Sequence, residues 1–87
     1  MARRIRHQDI AEQLAEADHE ESEFGGGDWD HGFACDQHGP RIVHLVHYGP
    51  GETEHFAAYT TTLHRLGYAV TPEQERGGRR RLAVTLP

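Results

Sequence analysis

Residues 42–70, IVHLVHYGPGETEHFAAYTTTLHRLGYAV, decide the fold. The run from Ile42 to Tyr48 is rich in β-branched and aromatic residues and reads as a strand. Gly49-Pro50-Gly51 ends it, and a helix begins near Glu52 or Thr53. Phe56, Tyr59 or Thr60, Leu63 and Leu66 then recur at the spacing of a core-facing stripe. Gly67 stands where a helix calls for a left-handed residue just past its end, and Tyr68-Ala69-Val70-Thr71 starts a new strand at once. Strand, helix and strand in that order predict a right-handed crossover.

Toward the C-terminus, Pro72 and a polar turn containing Gly77-Gly78 lead into a last strand from about Arg80 to Leu86. Leu82, Val84 and Leu86 fall on one side of it. Toward the N-terminus, Trp29 to Gln37 reads as a strand joined to Ile42–Tyr48 through the turn His38-Gly39-Pro40-Arg41. Pairing Gln37 with Ile42 puts Phe33, Cys35, Ile42, Val46 and Tyr48 on one face, and Val43 and Leu45 on the other. A sheet apolar on both faces needs a second cover, from the first helix or from another subunit. Val43 and Leu45 are the expected homodimer face. Farther back, Asp9 can cap a helix, with Glu12 reaching back to it. Ile10, Leu14 and Ala17 supply a narrow apolar stripe, and the Glu-rich stretch to Glu23 with Gly25-Gly26-Gly27 ends the helix. The expected architecture is one α+β domain in two layers, order α-β-β-α-β-β. Its ferredoxin-like sheet has about four strands with helices packed on it. Residues 1–28 form an acidic helix and Gly-rich joint, and residues 29–87 a ββαββ core.

The segment His44–Leu86, with "HLVHYG", a helix ending "LHRLGYAV" and a closing "RRLAVTL", resembles the β-α-β-β core of the ribonuclease E inhibitory regulator family. The resemblance covers about half the chain. It departs from the family pattern at Gly25–Gln37 and in the arginine-rich last strand. It implies a ferredoxin-like fold and a small, acidic, non-catalytic protein that regulates by binding another protein.

Eighty-seven residues with 36% apolar content leave a lean core. The single cysteine excludes an intrachain disulfide and fits a reducing compartment. No apolar run has the length of a signal peptide or a membrane span, so the expectation is a cytoplasmic protein. All nine basic residues are arginine, and they are segregated from the acids. Residues 1–6 carry three arginines, residues 7–40 ten acids and no arginine, and residues 41–87 six arginines against four glutamates. The sum, +3 −10 +2, gives the net charge of −5. Such a dipolar chain can steer association with a charged partner, or merely solvate a helix and a loop.

Eight histidines are the most unusual compositional feature. The best metal candidate is His31, Cys35 and His38, with His44 brought across the hairpin to Cys35; His38 is expected on the opposite face from Cys35, which leaves His31, Cys35 and His44 as the ligands of a rival, metal-binding reading. Against it, a zinc site wants four converging ligands, and an extended hairpin with one cysteine supplies them poorly. His44 and His47 are an odd number of residues apart in a strand and point to opposite faces. Cys35, beside Asp36 in the acidic half, is better read as a small buried hydrophobe than as a nucleophile. No residue set supports catalysis, and no cofactor is expected. Arg76, Arg79, Arg80 and Arg81 around the last hairpin could meet phosphates. The net negative charge and the lack of interleaved aromatics disfavour nucleic acid. The leading expectation is a non-enzymatic regulator or inhibitor that binds a protein. Its contact residues would be Glu20, Glu21, Glu23, Asp28, Trp29 and Asp30, an acidic stretch able to imitate nucleic acid, with Trp29 as either anchor or lid of the core.

Overall fold

The computed structural model describes residues 4–22, 31–74 and 76–87. Two helices, α1 (His7–Glu16) and α2 (Glu52–Arg65), cover one face of a four-stranded antiparallel sheet. Its strands are β1 (Gly32–Gly39), β2 (Ile42–Tyr48), β3 (Ala69–Gln74) and β4 (Arg80–Thr85). The element order α-β-β-α-β-β is the one the sequence predicts. The spatial order β1-β2-β4-β3 adds what the sequence leaves open: β4 lies between the two crossover strands. Both β2 and β3 run antiparallel to β4, and so parallel to each other without touching.

The hairpin register corrects the expected faces. Gly39 pairs with Ile42, but Gln37 pairs with Val43, so the ladder slips by one residue where His38 is inserted as a bulge. A one-residue slip turns a strand over. Phe33 and Cys35 therefore join Val43 and Leu45 beneath the helices, while Ile42, Val46 and Tyr48 lie on the uncovered face. Val43 and Leu45 are 0% exposed, which removes them as a homodimer face. From α1 the core receives Ile10 and Leu14, from α2 Phe56, Tyr59 and Leu63, and from β4 Leu82 and Val84. Each such fully buried side chain stabilises the fold by roughly 1.5–3 kcal/mol. Leu66, expected in the α2 stripe, is 47% exposed beyond the last helical turn.

Both helix ends depart from or follow the sequence for visible reasons. α1 begins at His7, two residues before Asp9, because its first turn is held from outside. The Gln37 side chain accepts from the His7 N–H at 2.8 Å and donates to the Ile5 and Gly39 carbonyls at 2.8 and 2.6 Å. One amide thus satisfies an orphan helix donor and ties the N-terminal segment to the hairpin bulge. α2 ends as expected. Gly67 has φ +95°, and the Tyr68 N–H returns to the Leu63 carbonyl at 3.0 Å. Pro72 sits in β3, an edge strand, where a missing N–H is tolerated. No described helix is long and apolar enough to cross a membrane.

Candidate functional site

β2 runs through the middle of the molecule and presents histidines to both of its faces. His47 points under the helices, as its odd separation from His44 demands. Its ring stacks on His55 of α2 at 4.1 Å between centroids and 15° between planes. The Pro50 carbonyl, 3.3 Å from His47 Nε2, can only accept, so Nε2 carries the proton. Nδ1 therefore accepts from the Tyr59 hydroxyl at 2.7 Å. Tyr59 also meets the edges of Phe33 and His19, the latter at 5.0 Å, and His19 Nε2 reaches Thr62 Oγ1 at 2.9 Å. Burial lowers the pKa of His47, with neighbouring His55 lowering it further. His19 is lowered by burial and then by His55. Burial pushes the Tyr59 phenol up to about 12.

His47, His55 and Tyr59 line a half-open cavity of about 190 Å³ with Glu20, His31, Gly32 and Pro50. Its rim is fitted closely: a Cβ on Gly49, at φ +105°, would lie 2.7 Å from the His31 ring, and one on Gly32 would strike the Glu20 carbonyl. Residues 20–22 bond to β1 at Phe33, as a short parallel bridge beside the sheet. The Glu20 and Glu21 side chains remain exposed. Nothing in the sequence pattern separates this ring cluster from scattered surface histidines. The pairing of His47 with Tyr59 and His55 appears only once α2 is laid across β2.

On the uncovered face, His44 stacks on the bulge residue His38 at 4.1 Å and 23°. The Glu73 carboxylate lies 3.8 Å from His44 Nε2 and accepts from Arg81 Nε at 3.0 Å. His44 is only 8% exposed, and burial lowers its pKa, as do Arg81 and His38. Arg79 lies over the Tyr48 ring at 5.4 Å. Arg80 turns the other way, toward Glu52, Thr53 and Phe56 of α2. The arginines expected to form one phosphate-binding patch are therefore divided between two layers, with Arg76 in the exposed turn.

The expected metal-ligand set does not assemble. Asp36, not Cys35, pairs with His44, so Cys35 and His44 occupy opposite faces of the sheet. Among the described residues no three His, Cys, Asp or Glu side chains are placed to hold a metal ion. Cys35 packs against the core, and its thiol is pushed up to about 12 by burial, then by Glu21. A thiol so poorly ionised is a packing residue.

The acidic half retains a definite geometry. Asp9, Glu12 and Glu16 are spaced i, i+3, i+7 along α1, on the side away from Ile10 and Leu14, and all three are exposed. Asp18, Glu20 and Glu21 follow in sequence past the helix end and are exposed as well. None of these six joins an ion pair among the described residues, where Glu52 and Glu73 are the paired carboxylates. Glu23, Asp28, Trp29 and Asp30 lie outside the described residues. The chain matches no protein-family model, no curated protein and no solved structure.

Proposed function

We propose that this protein is a small, non-enzymatic regulator or inhibitor that works by binding another protein, on a ferredoxin-like two-layer scaffold. The carrying observation is the exposed carboxylate row Asp9, Glu12 and Glu16 on the outer side of α1, none of which joins an ion pair among the described residues, with Glu20 and Glu21 also exposed beyond the helix end. Exposed carboxylates without a partner among the described residues leave their field to a basic surface, raising the rate of encounter and fixing orientation. Glu23, Asp28 and Asp30 add to that field in the sequence, with Trp29 as the apolar anchor; a basic groove that otherwise holds nucleic acid is one fitting target. The β-α-β-β order over residues 42–85 and the resemblance to ribonuclease E regulators support both scaffold and role. The free thiol of Cys35 supports a cytoplasmic setting.

The test is affinity capture from native lysate at low salt with three forms of the chain. These are the wild type, Asp9→Asn/Glu12→Gln/Glu16→Gln, and Trp29→Ala. The expected result is one stoichiometric partner, lost in the triple variant and at about 0.5 M salt, and weakened by Trp29→Ala. A partner held equally by all three forms would sink the reading.

A further inference from the structure

Past the end of α1 the chain crosses Tyr59 as a strap, Asp18-His19-Glu20-Glu21-Ser22, that contains no apolar side chain. Burial of aliphatic surface therefore does not hold it down. The Ser22 N–H donates to the Phe33 carbonyl at 2.8 Å, and the Phe33 N–H donates to the Glu20 carbonyl at 2.9 Å. The side-chain anchor is His19, whose ring meets Tyr59 at 5.0 Å and 72° and whose Nε2 reaches Thr62 Oγ1 at 2.9 Å. Where the strap leaves α1, Asp18 has φ +68°, the only left-handed non-glycine among the described residues. The chain thus turns on one residue in an uncommon conformation, a natural hinge. Segments with so few buried contacts open at a lower free energy than the whole domain unfolds. We propose that the strap is a proton-operated latch: neutral His19 holds it against α2 and β1, and protonation of His19 releases it.

The groups around His19 set the direction. In the docked strap, loss of water and then the neighbouring His55 of α2 disfavour a positive charge on its ring, against a smaller opposing pull from Asp18. The covered layer supplies no anion to pair with an imidazolium among the described residues. The Cys35 thiol of β1 and the Tyr59 phenol of α2 are both pushed up to about 12 and stay neutral, and His47 of β2 is itself held neutral by burial. Glu20 and Glu21 move with the strap, and as exposed carboxylates they attract an imidazolium only weakly. Once released, His19 is hydrated and takes up a proton near pH 6.5. Its docked pKa lies below its released one, so docking is strongest above about pH 6.5 and weakens as pH falls. Opening removes Glu20 from the wall of the His47–His55 cavity. The carboxylates of α1 stay in place, so the latch stands or falls independently of the partner-binding reading.

The test is hydrogen exchange of the full chain followed by NMR at pH 7.5 and 5.5. Each amide rate is divided by that of an unstructured peptide at the same pH to give its protection. The Phe33 and Ser22 N–H groups report the bridge. Their protection is expected to fall about fivefold to tenfold, tenfold being the most that one imidazole of pKa about 6.5 supplies over this range. In His19→Gln, which takes up no proton, the same two protections should not change with pH. Constant or rising protection in the wild-type chain overturns the proposal; a rise is what an imidazolium attracted to the Tyr59 ring gives. So does a fall that survives His19→Gln, which puts the sensor at another histidine. If that variant loses the bridge at both pH values, the His19 ring signal of the wild-type chain decides. A titration midpoint below about 6.5 upholds the latch, and one at or above it overturns it.

Discussion

β2 carries two histidines that each stack on another histidine at the same 4.1 Å separation, on opposite faces of the sheet, yet the two pairs are held by different forces. His47 lies among core side chains, with both ring nitrogens assigned by a phenol and a carbonyl. His44 is equally shielded but lies under its own surface neighbours, His38, Arg81 and Glu73. Shielding by packed rings and hydrogen bonds is rigid and indifferent to salt. Shielding by long charged side chains is neither. Equal accessibility, 7% for His47 and 8% for His44, therefore hides unequal energies.

The sharpest way to break this contrast is at Tyr59. Tyr59→Ala opens the covered face and should remove about 3–5 kcal/mol in urea unfolding, a large share of the stability of so small a domain. Tyr59→Phe keeps the ring but strands His47 Nδ1, and about 1–3 kcal/mol should go. Next comes Cys35, which reports the same face chemically. With its thiol pushed up to about 12, alkylation of the native protein at pH 8 should run slower than in urea by about a thousandfold. Mass spectrometry of a timed iodoacetamide reaction reads this directly.

Acid probes both faces together. His19, His44 and His47 all have pKa values lowered by burial, so the unfolded chain takes up protons near pH 6.5 that the native state refuses. Their contribution is complete above about pH 6.5 and is lost as pH falls below it. The urea midpoint should drop between pH 7.5 and 5.5, and replacing His47 with Asn should flatten the slope. The smallest effect belongs to the uncovered face. Glu73→Gln frees Arg81 and His44 from a half-exposed carboxylate and should cost no more than about 1 kcal/mol, vanishing in high salt.

Much of this architecture was legible in the chain. Residues 42–70 carry strand, helix end and strand with their turn residues in place, and Gly67 takes the left-handed position its setting demands. The opposed directions of His44 and His47 follow from counting. The faces of β1 did not, because a single bulged residue, His38, reverses every side chain before it. Local propensity says nothing of such an insertion. The start of α1 was hidden for a related reason: its cap is Gln37, thirty residues away in sequence from His7, where local capping rules cannot look. The His47–Tyr59–His55 arrangement arises between β2 and α2, so periodicity within either element is blind to it. Of the expected binding residues, Glu20 is exposed at the cavity and Glu21 is exposed next to it in sequence, while the Trp29 stretch lies beyond what the structure describes.

Pro72 has a consequence reaching past the single molecule. A strand at the flank of a sheet is a growth point for endless stacking, and a ring nitrogen without hydrogen stops that growth. With Phe33 on the opposite flank already bridged by Glu21, a strand of another copy meets an interruption at either edge of the sheet.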